Sequence, residues 1–214
     1  MIINFLGDSI TNGAGASVPE KNYVSLVGQM LPCEARNYGI GGTRIARQNV
    51  LSEEHLYDLD FLMRSEVMGA ADFVFVFGGT NDYGHGVAPL GELDSEDIYT
   101  FCGAVNVLLN RLSARYGKDK ICVILPIHRY DEENPYGEGN KPFAAPILQE
   151  YVSRINTIAR RHGIEVLSLE KDFPVPTTNK GDELTVDGLH PNDKGHALIA
   201  KRVCEYLRKK FNME

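Results

Sequence analysis

The strand-like runs of this chain are apolar on consecutive residues, and helix-patterned stretches separate them. Phe73–Phe77 and Ile121–Leu125 carry no polar side chain, and Ile2–Leu6 carries only Asn4. A strand with one wet face alternates apolar and polar residues, whereas a run apolar on both faces has to be covered on both. Glu34–Tyr38 and Glu165–Leu169 complete five expected strands. Between them, Tyr23, Leu26, Val27, Met30 and Leu31 follow the i, i+3, i+4, i+7, i+8 spacing of one helical face. Ile98, Phe101, Val105, Leu108, Leu109 and Leu112 form a second stripe, with Ser95 as its expected cap and Gly117 as its stop. A third runs through Ile147, Tyr151, Val152, Ile155, Ile158 and Ala159, opened by Pro146 and closed by Gly163. The last comprises Ile199, Val203, Tyr206 and Leu207 with Asp193 as its cap, and Leu56–Met68 is also expected to be helical. Alternating β and α units imply a parallel sheet with helices on both faces.

At 214 residues, with no Pro/Gly-rich linker and no internal repeat, the chain reads as one domain over 1–214. The balance of 22 basic against 29 acidic residues gives a net charge of −7, which disfavours a nucleic-acid partner. The one basic cluster, around Lys201, Arg202, Arg208, Lys209 and Lys210, falls at the end of the last helix, where cations suit the helix dipole. No apolar run approaches the roughly 20 residues of a membrane span. Met1 opens directly into the first strand without a basic leader, so a cytoplasmic location is expected. Cys33, Cys102, Cys122 and Cys204 lie far apart and read as small hydrophobes rather than bridges or zinc ligands.

In a sheet of this kind, function sits beyond the carboxyl ends of the strands. Gly7-Asp8-Ser9 follows strand one, Gly39-Ile40-Gly41-Gly42-Thr43-Arg44 follows strand two, and Gly78-Gly79-Thr80-Asn81-Asp82 follows strand three. Asp187-Gly188-Leu189-His190 follows strand five after a loop. Each motif alone has a structural explanation: Gly-Asp-Ser is a common turn, Asn-Asp pairs cap helices, and Asp187 can close a turn. Together they supply the parts for ester cleavage. A serine hydroxyl needs a neighbouring base, a histidine titrates in the right range, and a carboxylate holds the imidazole in one tautomer. Asp187 and His190 stand three residues apart, so one turn brings both side chains to the same side. Gly42 and Ser9 offer backbone N–H groups and Asn81 a side-chain amide to a developing oxyanion. Ser, Asp and His occur in this order in α/β-hydrolases too, but Thr11 stands where their Gly-x-Ser-x-Gly elbow needs glycine.

The ordered set resembles the SGNH (GDSL-type) hydrolases, a family of esterases and acylhydrolases. Gly7-Asp8-Ser9 matches the first block, with Ile10 in place of the usual Leu. Gly42 fits the second block best and Gly41 less well. Gly79-Thr80-Asn81-Asp82 matches the third block and Asp187-Gly188-Leu189-His190 the last. The resemblance spans residues 7–190. It implies a flavodoxin-like α/β sandwich of three layers, with Ser9 as nucleophile, His190 as base and Asp187 as its orienting partner. Ser9, Gly42 and Asn81 would form the oxyanion hole.

Two rivals share the sheet. A receiver-like domain needs more acids after strand one than Asp8, and strand three would not end in Gly78 and Gly79. A nucleotide-binding module needs Gly-x-Gly-x-x-Gly or a P-loop, and neither is present. No metal or cofactor is expected, since the six histidines offer no third ligand at fitting spacing. His162 is expected as a cation at a helix end and His196 at a surface or edge.

Around the pocket the reading places Arg44, Tyr83, His85 and His128 as substrate contacts, with Thr43, Asp82 and Arg129 nearby. Residues 128–143 form a long polar loop placed to cover the site, with Tyr130 and Tyr136 as faces for stacking a sugar. This polar surround points to a small-molecule ester with a short acyl group, acetyl above all, on a polar alcohol such as a carbohydrate. A lipid acylhydrolase with the same triad is the alternative, and oligomeric state is not readable.

Overall fold

The computed structural model describes residues 1–53, 55–139 and 141–213. Five strands, β1 (Ile2–Gly7), β2 (Glu34–Gly39), β3 (Phe73–Phe77), β4 (Ile121–Ile124) and β5 (Glu165–Leu167), pair in the order β2-β1-β3-β4-β5. Every pairing is parallel. This is the doubly wound, flavodoxin-like order, in which the direction of winding switches between β1 and β3. Among the described residues seven α-helices accompany the sheet: α1 (Ser9–Asn12), α2 (Tyr23–Met30), α3 (Phe61–Val67), α4 (Thr80–Gly84), α5 (Phe101–Tyr116), α6 (Leu148–Arg161) and α7 (Asp193–Phe211). The expectation of a three-layer sandwich is met. Among the described residues no helix is long and apolar enough to cross a membrane.

The consecutive apolar runs have the cause read from the sequence. Along β3, Phe73, Phe75 and Phe77 enter one core with Ile3, Phe5, α2 and α7. Val74 and Val76 enter the other, with Leu6, α3, α5 and α6. Both are fully covered because side chains alternate across the sheet. Phe5 and Phe75 stack at 5.2 Å and 11° across adjacent strands. The buried thiols of Cys102, Cys122 and Cys204 behave as small apolar groups in these cores and form no bridge.

Several helix boundaries differ from the sequence reading. Thr100, not Ser95, caps α5, its hydroxyl accepting the Gly103 N–H, while the Ser95 hydroxyl serves the turn at Asp97. Asn192, not Asp193, caps α7 through the N–H groups of Lys194 and Gly195. Asp193 is occupied elsewhere, accepting from Ser17 N–H and Oγ at 2.8 Å and from Lys21 Nζ at 2.6 Å. The stretch 56–68 splits at Asp60, which caps α3, after a 3-10 turn over His55–Asp58.

Two histidines also sit differently from expectation. His196 is fully buried rather than at an edge. Its Nδ1 accepts the Tyr23 N–H at 3.3 Å, so the ring proton is on Nε2, which donates to Ala14 O at 3.1 Å. Burial holds its pKa below the ordinary value, so the ring works as a neutral staple between α7 and the segment after β1. His162 likewise donates from Nε2 to Asn106 Oδ1 at 2.9 Å, and burial lowers its pKa, against the cation expected at that helix end.

Arg64 joins the two strands that carry the first two motifs. It sits three residues after Phe61 on the buried face of α3. Its guanidinium donates to Gly7 O at 2.9 Å, Tyr38 O at 2.5 Å, Leu59 O at 2.9 Å and Thr43 Oγ1 at 2.8 Å. Removing it takes a donor from four buried or part-buried acceptors, of which Gly7 O keeps the Ile40 N–H, and a buried acceptor left unpaired costs about 1–3 kcal/mol. Arg64→Ala is expected to lower unfolding stability by at least about 3 kcal/mol in urea titration, and Arg64→Lys to recover less than half of that, because an ammonium lacks the planar fork. Wild-type stability in Arg64→Lys would show that charge alone, not the fork, holds the strand ends.

Candidate active site

The first motif is delivered by a sharp exit from β1. Gly7 leaves no room for a side chain, since a Cβ there would lie 1.9 Å from Thr11 Oγ1. Asp8 is the N-cap of α1, its Oδ1 accepting the Ile10 N–H at 3.0 Å, and Ser9 is the first helical residue. Gly13, in the left-handed region at φ +107°, ends the turn at once. The Ser9 hydroxyl is thereby held at the carboxyl edge of the sheet.

His190 arrives from the other end of the chain. Asp187 Oδ1 accepts the N–H groups of Leu189 at 3.0 Å and His190 at 2.7 Å, closing a tight turn. Its second oxygen accepts from His190 Nδ1 at 2.7 Å. One carboxylate therefore sets both the backbone and the ring. A carboxylate accepts only, so Nδ1 carries the proton and Nε2 of the neutral ring is left as acceptor. Ser9 Oγ lies 2.9 Å from that Nε2 and donates to it. Burial pushes the Asp187 carboxyl up, but the hydrogen bonds from the His190 ring and from the turn's N–H groups outweigh it and hold it below the ordinary carboxylate value.

The second and third motifs meet in front of this pair. Gly42 adopts φ +72°, and a Cβ there would lie 2.1 Å from the Tyr57 ring. Asn81, in α4, donates from Nδ2 to Thr43 O at 3.0 Å, which aims the amide along the Gly42 loop and leaves its second N–H free. Among the described residues, neither the Ser9 nor the Gly42 N–H has an acceptor within the protein. Asp82 fastens the same loop, its two oxygens accepting the N–H groups of Ile45 and Ala46 at 2.9 Å. Burial raises the pKa of Asp82 to about 6, and that of Asp8 to about 6 as well.

Ser9, Gly42, Asn81 and His190 all border one cleft of about 800 Å³. Arg44 and His85 border it too, as the sequence suggested. Arg44 is buried and held by Ser52 Oγ, Tyr57 O and Asp58 Oδ1 at 2.8–3.1 Å. Burial lowers the His85 pKa, so its ring is neutral, and it packs 5.5 Å from the ring of Tyr57. Tyr83 does not reach the cleft. It is fully buried, and its hydroxyl donates to the carbonyls of Asp131 and Asn134. His128 is also turned away, with Nδ1 2.7 Å from Glu132 Oε2. Arg129 is buried in ion pairs with Asp131 and Glu138. Tyr83 and His128, expected to meet substrate, meet protein instead, as does Arg129, expected nearby.

The same partners define the long loop. Arg129 donates to Thr80 O, Glu138 N–H donates to Gly84 O, and Lys141 Nζ donates to Asp82 O at 3.0 Å. Residues 128–139 and 141–143 are thus pinned to α4 as a fixed wall; Asn140 lies outside the described residues. Tyr57, Glu138 and Arg64 complete the surroundings of the cleft, and the sequence reading does not single them out as parts of the site. Arg64 alone left a signal, a charge at i+3 from Phe61 on an apolar helical face. Among the described residues no group of three His, Cys, Asp or Glu side chains is placed to hold a metal ion.

Comparison with known proteins finds similar folds across nearly the whole chain. A crystal structure of a protein from Lactobacillus plantarum is similar at 30% identity and a TM-score of 0.79, over 97% of this chain and 96% of that one. An acetyl xylan esterase structure is similar at 23% identity and a TM-score of 0.66, over 97% and 100%. A lipase/acylhydrolase from Enterococcus faecalis is similar at 21% and 0.62, over 98% and 96%. No curated protein sequence matches. The model of the GDSL-like lipase/acylhydrolase family matches residues 5–198, and the chain belongs to that family.

Proposed function

We propose that the protein is a serine esterase that cleaves short acyl esters of polar alcohols. The observation that carries the reading is the continuous hydrogen-bonded chain Ser9 Oγ–His190–Asp187, at 2.9 and 2.7 Å, opening on the cleft that Gly42 and Asn81 border. His190 Nε2 takes the hydroxyl proton as Ser9 Oγ attacks the ester carbonyl. The charge that develops on the carbonyl oxygen is met by the Ser9 and Gly42 N–H groups and by Asn81 Nδ2. His190 then returns the proton to the departing alcohol, and a water activated by the same nitrogen releases the acyl group.

The short acyl preference rests on the wall next to the oxyanion donors. The Tyr57 ring fills the space over Gly42 and packs on His85, leaving little length for an acyl chain in that direction. Arg44, Ser52, Asn12 and Glu138 make much of the remaining lining polar. One observation favours a lipid ester instead: Val50, Leu51 and Leu56 are exposed, and Leu56 borders the cleft. A run of exposed apolar side chains beside a site is how a protein meets a lipid.

Two measurements test the esterase reading and a third separates short-acyl from lipid esters. On p-nitrophenyl acetate, Ser9→Ala and His190→Ala are expected to lower kcat by about 10⁴–10⁶, and Asp187→Ala by less, since a carboxylate partner matters less than the pair it orients. Full activity in Ser9→Ala would end the proposal. Asn81→Ala is expected to lower kcat by about 10²–10³ with KM nearly unchanged, the signature of a donor used in the transition state; a raised KM at constant kcat would make Asn81 a ground-state contact. Across p-nitrophenyl esters, acetate and butyrate are expected to give the highest kcat/KM, with Tyr57→Ala moving the optimum to longer chains. A wild-type optimum at decanoate or beyond selects the lipid reading.

A further inference from the structure

A second cavity of about 510 Å³ lies behind His190, lined by Tyr130, Asp131, Glu138, Asn179 and Asp187 among others. It shares Glu138, Leu189 and His190 with the main cleft, so the two spaces meet at the catalytic imidazole. We propose that this cavity receives the alcohol part of the ester and selects uncharged, hydroxylated alcohols over anionic ones. The inference rests on the serine-esterase reading above and adds a direction and a charge preference to it.

The direction follows from the reaction. The carbonyl oxygen has to face Gly42 and Asn81 within the main cleft, and the departing oxygen has to face His190 Nε2, from which it takes its proton. An alcohol attached to that oxygen is led past the imidazole, where the second cavity opens. Nothing in the proton transfers requires Glu138, yet its place is tightly set. Its N–H donates to Gly84 O at 2.8 Å, and at Gly137, in the left-handed region, a Cβ would lie 2.0 Å from the same carbonyl.

The preference follows from the charges. Asp131, Glu138 and Asp187 bring three carboxylates to this cavity and Arg129 brings one guanidinium. That guanidinium is buried and already committed, to Asp131 Oδ1 at 2.6 Å and to Glu138 Oε1 at 3.0 Å. Asp187 is committed to His190. Among the described residues Glu138 Oε2 has no donor within the protein, and the side chain is about one-third exposed. An unpaired carboxylate oxygen accepts hydrogen bonds from hydroxyl groups and repels a phosphate or carboxylate. The ring of Tyr130, half exposed on the same cavity, offers the flat apolar face on which a sugar ring packs.

The test compares two acetyl esters on the same preparation, so that the ratio of their kcat/KM values is independent of the fraction of active protein. The pair is phenyl acetate, with an uncharged alcohol part, and 4-acetoxybenzoate, with an anionic one. In the wild type the ratio for the anionic ester is expected to rise several-fold between roughly 10 mM and 1 M NaCl, as screening shortens from about 30 to 3 Å. Glu138→Lys is expected to raise that ratio about tenfold at low salt and to remove its rise with salt; Glu138→Gln is expected to fall between. On 6-O-acetylglucose relative to phenyl acetate, Glu138→Gln is expected to lose about fivefold or more. A ratio that Glu138→Lys leaves unchanged, together with a salt-independent wild type, overturns the proposal. Failure of the underlying esterase reading shows separately, as turnover of phenyl acetate that survives Ser9→Ala.

Discussion

The site depends on one buried cation. Arg64 donates to the Gly7 carbonyl that ends β1, to the Tyr38 carbonyl next to the end of β2 and to the hydroxyl of Thr43, which in turn donates to Ile40 O at 2.7 Å. Gly7 O also accepts the Ile40 N–H at 3.2 Å. A single guanidinium joins the Gly7 and Tyr38 carbonyls, and in doing so fixes where the Ser9 turn and the Gly42 loop begin. Lysine in its place offers one nitrogen for acceptors spread over three segments. Burial lowers the Arg64 pKa to about 10, with Asp8 and Asp60 acting in the opposite sense, so the group stays charged at neutral pH.

That arrangement carries a cost in stability, and the signs of the pKa shifts locate it. Asp8 and Asp82 are raised to about 6, so the folded protein holds their protons more tightly than the unfolded chain does. Their favourable contribution is complete below the unfolded value and is lost as pH rises through about 6. Asp187 is lowered and works the other way, stabilising above its unfolded value and ceasing to do so in acid. At neutral pH the two buried acids are thus ionised against desolvation. The compensation is local: backbone N–H groups at Asp8 and Asp82, and the cations Arg64, Arg44 and Lys141 nearby. Each of these contacts also fixes a loop that borders the cleft.

The fold was legible because its determinants are one-sided. A run such as Phe73–Phe77 has no wet face, and only a covered sheet accommodates it; the alternation of such runs with helical stripes then leaves few topologies. Caps were less legible, because Ser95 and Thr100, or Asn192 and Asp193, carry equivalent chemistry and only tertiary contacts choose between them. Asp193 is drawn off by Ser17 and Lys21, which are distant in sequence. For the site, the sequence gathers Ser9, Gly42, Asn81 and His190 through the shared end of the sheet. It does not distinguish a polar side chain that meets substrate from one that meets protein. Tyr83, His128 and Arg129 follow the strands as a binding residue would, yet their partners are Asp131, Glu132, Glu138 and two carbonyls of their own loop.

Those misplaced residues explain why the long loop is a wall. A lid needs few contacts with the body it covers, so that opening is cheap. Here the loop is anchored at several points along α4, from Thr80 through Asp82 and Tyr83 to Gly84. Lys141 adds a cation over the Tyr83 and Tyr151 rings, at 5.8 and 5.5 Å from their centroids. Asn81, the amide donor of the cleft, lies inside the stretch of α4 that this loop grips. Moving the loop would therefore disturb Asn81 and, through Asp82, the backbone just after Gly42. Under the proposed function, the contacts of Arg129, Lys141 and the Glu138 backbone with α4 would hold the oxyanion donors rigid. Preorganised donors need no rearrangement when charge develops, which is where such a site gains most of its rate.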